Sequence, residues 1–343
     1  MYHPRLYGEF YEMGLKYGSL LQKNGFVLPR ISKEKTEFGL ESYGELKNYY
    51  PEVVTEIRGF AEGINEQPEI LGAFLSSIGV LNTTGQCSVF AFKNKNSVII
   101  GRNYDMLFRF KKFTESSLIA PANKYSYISQ SDVFIGRSDG INEKGLSIAM
   151  SFVNGTEIQP GIGFHFLIRK VLENCSTTKQ AITIIKETKV SSANNFLIAD
   201  KTGDIVVVES APQKSRIRHP EKNEDFIYIT NQFMTKEMMP FDTREVAWSK
   251  SMERYNGLKE NLESVKEMDL LKAKEILSNK CICLDLKTEK FGTIWSVVAD
   301  LNELKIERAE GKPRLTNYKT ETRLDWWLNK RSKHQPPLYK RLF

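Results

Sequence analysis

At 343 residues, 41% hydrophobic and 27% charged, the chain can bury a full core and is too apolar to be disordered throughout. A net charge of +7 allows weak attraction to anions, but the basic residues are scattered, which argues against a nucleic-acid partner. Four cysteines, Cys87, Cys175, Cys281 and Cys283, are too few and too irregularly spaced for a disulfide framework, as expected of a reducing compartment.

Met1 is followed by Tyr-His-Pro-Arg with no apolar leader behind it, and no run approaches the roughly eighteen apolar residues of a membrane span. The expectation is a cytoplasmic protein with no membrane partner. From Gly8 to Leu21 a helical pattern carries Gly14 and Gly18 four apart, leaving one face bare for close packing. Pro51 to Ala61 predicts a second helix, with proline in its first turn and Gly63 ending it.

Ser88 to Phe92 and Ser97 to Ile100 predict a hairpin around the turn residues 93–96, with Cys87 opening the first strand. Strands are then expected at Tyr125–Ile128, Phe134–Gly136 and Gly145–Phe152, helices at Phe164–Leu172 and Thr178–Glu187, and strands at Asn195–Asp200, Asp204–Glu209 and Phe226–Thr230. Met252–Leu262 and Leu270–Leu277 read as helices, and Thr293–Asp300 with Lys305–Ala309 as a closing strand pair. Cys281-x-Cys283 alternates like a strand and lacks neighbouring ligands, so no metal is expected. The end of the chain, with Lys330, Arg331, Lys333, Lys340 and Arg341 among Trp326, Trp327 and Tyr339, reads as a solvated, partly docked tail. Helices outside two stacked sheets fit this order, an α+β architecture.

Folding the hairpin back brings Arg102 and Asp105 towards Cys87. A cation beside a thiol favours the nucleophilic thiolate. The residues alone leave two readings open, an activated thiol or a small buried hydrophobe beside a structural ion pair.

Cys87-Ser-x-Phe followed by Gly101-Arg102-Asn103-x-Asp105 resembles the N-terminal-nucleophile (Ntn) amide hydrolases related to choloylglycine hydrolase and penicillin V acylase. The long segment before Cys87, with Phe60-Ala61-Glu62-Gly63 and the glycines ahead of it, more closely resembles the acyl-CoA:6-aminopenicillanic acid acyltransferase branch. Asn142-Glu143-Lys144-Gly145-Leu146 is a further string similar to the relatives'. The resemblance implies a four-layer αββα sandwich, a helical N-terminal segment at 1–86, and a catalytic domain at 87–343. It also implies a cut at Gln86-Cys87, with the freed fragment remaining associated.

By the same resemblance Cys87 is the nucleophile and its freed amine the base, Arg102 and Asp105 stand at polar pocket positions, and Asp105 holds the amine. Asn231, in Thr230-Asn231-Gln232, stands where the family has its oxyanion asparagine, and Arg254 where it has another active-site arginine; as a lone feature Arg254 reads equally as a surface residue. A second oxyanion donor is expected from a backbone amide near Phe152, a substrate-binding position where relatives often carry asparagine. Asn194-Asn195 reads as a sheet-edge hydrogen-bonding pair, not as catalytic.

An N-terminal cysteine needs no histidine, because its own α-amine, of ordinary pKa about 8, can take the thiol proton. His3, His165, His219 and His334 offer no evident partner, although a papain-like pair is a rival reading. The function expected is hydrolysis or acyl transfer on a small-molecule acyl amide or acyl thioester, without cofactor. Transfer to an amine acceptor as the main reaction, or an uncleaved non-catalytic binding protein on this fold, are the alternatives; homo-oligomer formation is compatible with all three.

Overall fold

The computed structural model describes residues 1–81, 85–243 and 247–334; Thr83 and Thr84 before the cysteine, and Tyr339, Lys340 and Arg341 in the basic tail, lie outside them. The chain opens with a short strand, β1 (Arg5–Gly8), and continues into helices α1 (Phe10–Lys23), α2 (Lys33–Tyr49), α3 (Pro51–Gly63) and α4 (Pro68–Ser77). The first 86 residues are therefore not wholly helical. Leu6 buries its side chain in the helical core, and β1 pairs in parallel with a later strand. A four-residue run is too short for hydrophobic periodicity to mark.

Helices α1 and α3 meet backbone to backbone through glycines, as the spacing predicts. A Cβ on Gly14 would lie 2.0 Å from the Glu56 carbonyl oxygen, and one on Gly59 2.1 Å from that of Tyr11. Helix α2 escapes the sequence reading because its buried stripe is Gly39, Ser42, Tyr43 and Leu46, with only two apolar side chains of any size.

The hairpin follows as β2 (Gln86–Lys93) and β3 (Val98–Leu107), longer than its apolar core suggested. After a 3₁₀ segment, Phe108–Phe113, come β4 (Glu115–Pro121), β5 (Tyr127–Ser131), β6 (Asp139–Asn142) and β7 (Leu146–Phe152). Phe134–Gly136 is a turn and not a strand. Phe134 takes φ 57°, and the Ser131 hydroxyl closes the loop by donating to the Gly136 carbonyl oxygen while accepting from the Val133 amide.

Helices α5 (Phe164–Asn174) and α6 (Thr178–Glu187) come next, the latter started by a Thr177–Gln180 capping box. Strands β8 (Asn194–Asp200), β9 (Ile205–Ala211), β10 (Lys214–Arg218) and β11 (Phe226–Ile229) precede α7 (Ser251–Glu263) and α8 (Leu270–Ser278). The chain closes with β12 (Asp285–Leu286), β13 (Phe291–Asp300), β14 (Lys305–Ala309), β15 (Lys319–Thr320) and α9 (Arg323–His334). Cys281 and Cys283 sit in the turn after α8, not on a strand, one exposed and one buried. Trp327 docks α9 by stacking on Tyr7 and donating to the Ser126 hydroxyl.

Two sheets result, ordered β1-β4-β5-β6-β7-β8-β9-β10 and β11-β2-β3-β13-β14-β15, with β12 also on β13. Strand alternation gives each sheet two apolar faces. Leu118, Ile128, Leu197 and Val207 of the first meet Val89, Ala91, Ile227 and Val297 of the second. The outer face of the first sheet, including Ile148, Phe196 and Val206, packs on helices α1 to α6. The outer face of the second, with Phe90, Phe92 and Tyr228, packs on α7 and α8 through Leu258, Leu262 and Ile276. The molecule is a four-layer αββα sandwich. Among the described residues no helix is long and apolar enough to cross a membrane.

Candidate active site

The hairpin register builds the centre of the site. Cys87 stands opposite Tyr104 and Val89 opposite Arg102, so these share the face turned to the other sheet. Gln86 stands opposite Asp105 and Ser88 opposite Asn103, on the face turned to α7 and α8. Arg102 and Asp105 thus reach the cysteine from opposite sides of one sheet, because their separation of three is odd.

On the inner face, Arg102 Nη2 donates to Cys87 Sγ at 3.3 Å. Its Nη1 donates to the Ser138 carbonyl oxygen at 2.6 Å and lies 3.2 Å from Asp139 Oδ2. The guanidinium sits over the rings of Trp295 and Tyr104, which stack on each other at 4.9 Å. The Tyr104 hydroxyl donates to Asp132 Oδ2 at 2.9 Å. Arg102 does not leave Cys87 as a ready thiolate. Burial pushes the thiol up from its ordinary value, and the charge and hydrogen bond of Arg102 offset this only in part.

On the outer face, Arg254 of α7 is fully buried and is not a surface residue. Its Nη1 donates to the Cys87 carbonyl oxygen and to Ser88 Oγ, its Nη2 to Asn231 Oδ1 at 2.9 Å and Gln86 Oε1 at 3.3 Å, and its Nε to the Ser249 carbonyl oxygen. Asp105 lies 3.8 Å from Arg254 Nη1 and accepts at Oδ1 from Thr293 Oγ1 at 2.5 Å. Its Oδ2 is buried and accepts no hydrogen bond among the described residues. Burial pushes the carboxyl up to about 6, against the pull of Arg254, the Thr293 hydrogen bond and Arg102.

Asn231 follows the end of β11 and joins the two halves. Its Oδ1 accepts from the Cys87 backbone nitrogen at 2.9 Å, and its Nδ2 donates to the Phe152 carbonyl oxygen at 2.8 Å. In the uncut chain it is therefore Asn231, not Asp105, that holds the cysteine nitrogen. Asn231 is anchored through its own N–H to Ser251 Oγ at 2.8 Å. Asn195 fixes the same string by donating to the carbonyl oxygens of Thr230 and Gln232, consistent with the sheet-edge reading.

Phe152 presents its carbonyl to Asn231, where the sequence reading expects an amide nearby. The next amide, Val153 N, is committed to the Ala193 carbonyl oxygen, and the half-buried Phe152 ring packs on the helical core.

Among the described residues no histidine takes part in these contacts: His3 pairs with Glu310, and His165 bonds the Leu75 carbonyl in the helical layer. Among the described residues no group of three His, Cys, Asp or Glu is arranged to hold a metal ion. Tyr104, Ser138, Asp139, Trp295, Ser251 and Thr293 escape the sequence reading. The hairpin register was the available signal for Tyr104; the others arrive from distant segments.

The family model described as acyl-coenzyme A:6-aminopenicillanic acid acyl-transferase matches residues 92–315, a span that begins after Cys87. Among solved structures the chain is similar to penicillin V acylase from Agrobacterium tumefaciens, at 17% identity over 65% of this chain and 83% of that one, with a TM-score of 0.49. It is also similar to a mutant of conjugated bile acid hydrolase from Clostridium perfringens, at 15% identity over 68% of this chain and 96% of that one, with a TM-score of 0.49. A second variant of that hydrolase is 16% identical over 68% and 96%, again with a TM-score of 0.49. No curated protein matches the sequence.

Proposed function

The chain belongs to the acyl-coenzyme A:6-aminopenicillanic acid acyl-transferase family, and from that premise we propose that it is a cysteine amide hydrolase or acyltransferase with Cys87 as the nucleophile, matured by its own cut at Gln86-Cys87. The observation that carries this reading is the enclosure of Cys87: sulfur against Arg102, backbone nitrogen against Asn231, backbone carbonyl against Arg254.

In maturation the thiol loses its proton as Sγ attacks the Gln86 carbonyl carbon. The C–N bond breaks, the nitrogen takes a proton, and a thioester remains. Water opens it, leaving a carboxylate on Gln86 and a free α-amine on Cys87. Arg254 orients the bond by holding the Gln86 side chain and the Cys87 carbonyl. Retention of the segment 1–86 is supported by its strand in the first sheet and by the buried pair between Glu56 and Arg169.

In turnover the new α-amine, ordinarily of pKa about 8, accepts the thiol proton, as the raised thiol pKa requires. Sulfur then bonds to the acyl carbon of an amide or thioester. One Nδ2 hydrogen of Asn231 is taken by Phe152; the other is the donor available to the oxyanion. Collapse breaks the C–N or C–S bond, the leaving group takes the amine's proton, and water or an acceptor amine releases the acyl group from sulfur.

Mass spectrometry of wild type and Cys87→Ala tests both halves. Wild type gives two fragments with Cys87 at a new N-terminus and turns over a panel of acyl amides and acyl thioesters. Cys87→Ala gives a single folded chain without turnover, since a methyl for a buried thiol costs little packing. An intact wild-type chain with full activity would overturn the mechanism.

A further inference from the structure

We infer that Thr293 is a positioning residue for Asp105, placed there by a β-bulge at Ile294 that also sets the aromatic floor beneath Arg102. The role rests on the proposed Cys87 chemistry; the geometry stands apart from it.

Strand β13 pairs with β3, and its register shifts between Thr293 and Trp295. Two residues apart on a regular strand, these side chains would share a face. The extra residue lets Thr293 stand opposite Asp105 on the helix side, while Trp295 stands opposite Tyr104 on the side between the sheets. One inserted residue therefore supplies both faces of the site. Without it, either Trp295 would leave Arg102 or Thr293 would leave Asp105.

The Thr293 hydroxyl lies among the Leu284 amide, the Asp105 carboxylate and the Cys283 thiol, and the carboxylate is the strongest acceptor of the three. Its Oγ1 accepts from the Leu284 amide at 3.1 Å and donates its one proton to Asp105 Oδ1 at 2.5 Å. The segment bearing Leu284 is held close because residue 292 is glycine: a Cβ there would lie 2.5 Å from the Leu284 carbonyl oxygen. With Oδ1 occupied, the buried Oδ2 is the oxygen left to face Arg254 and an incoming cationic group.

A hydroxyl that donates to a carboxylate favours its charged form. The charged or titratable groups facing Asp105 are Arg102 on its own strand, Cys87 on β2, Arg254 on α7 and Cys283 in the turn before β12. None of these replaces the Thr293 proton at Oδ1.

The test titrates Asp105 directly, by infrared difference spectroscopy of its carboxyl band against Asp105→Asn, in the Cys87→Ala chain. Thr293→Val, which keeps the shape and drops the hydroxyl, moves the midpoint upward from about 6 by about one pH unit; Thr293→Ser leaves it in place. In the active enzyme the acid limb of kcat/KM moves the same way for Val and returns for Ser. Should the Val variant not fold, Thr293→Ala supplies the same comparison. Equal midpoints in Thr, Ser and hydroxyl-free chains, or a shift that Ser does not reverse, would overturn the assignment. The titration needs no turnover, so it can fail while Cys87 stands as nucleophile, and the reverse.

Discussion

Among the fully buried arginines, Arg169 and Arg254 have surroundings that differ in kind. Arg169, between the helical layer and the first sheet, bonds two carboxylates directly, Glu56 and, at 2.7 Å, Glu173. Burial would lower its pKa, but the two glutamates outweigh burial and hold it well above the ordinary value. Tyr50 and Tyr127 donate to Glu173 and complete a structural network. Arg254 instead donates to neutral acceptors, with its nearest carboxylate at 3.8 Å, and burial lowers its pKa. A charge matched in place is a fastener. A charge held by neutral groups keeps its field for any anion beside it, which on the proposed mechanism forms at Cys87.

The largest expected effect beyond the loss of Cys87 is on the fastener. Glu56→Ala leaves Arg169 under-compensated and should cost about 3–5 kcal/mol in denaturant unfolding. Because Glu56 lies in the first segment and Arg169 in the second, size-exclusion of cut protein should show the fragments parting at lower denaturant. A change under about 1 kcal/mol would mean that packing alone joins them.

On the other half of the comparison, Asn231→Ala should lower kcat by about 10²- to 10³-fold, the usual scale for one oxyanion donor. Stopped assays that find kcat/KM unchanged would make Asn231 purely structural.

Asp105 should show the cost of keeping charge unmatched. Its folded carboxyl titrates at about 6 against an ordinary 3.8, so the fold binds more protons than the unfolded chain between these values. That contribution is present at low pH and lost as pH rises through about 6. Asp105→Asn removes the slope and should unfold later than wild type at pH 8, by on the order of 2–3 kcal/mol, with the gap closing towards pH 4. A gap independent of pH would place the ionisation elsewhere.

The smallest effect concerns the cleavage site. Gln86→Ala removes one hydrogen bond to a charged donor and should slow the cut about tenfold without moving it. Time-resolved mass spectrometry of fresh protein reads the rate, and an unchanged rate would free Arg254 from orienting the bond.

What the sequence determined by itself was local. The β2–β3 hairpin, the glycine seam of α1 and the strand–helix order follow from turn residues, periodicity and helix-end signals within a few positions, and they fit helices outside two stacked sheets, while the four-layer αββα order is what the family resemblance implied. The motif residues Cys87, Arg102 and Asp105 were legible because one hairpin register brings them together. Short or chemically quiet features were not: β1 is four residues long, and the stripe of α2 is carried by Gly39 and Ser42. Asn231 and Arg254 were named by the family resemblance, but the tertiary structure alone decided which atoms of Cys87 they meet and that Thr293 meets Asp105. Cys87 N meets Asn231 across 144 positions, Arg254 reaches Cys87 across 167, and Thr293 reaches Asp105 across 188. It also decided that burial outweighs Arg102 at the thiol, because desolvation depends on how much protein surrounds a group, and neighbours in sequence carry no record of that.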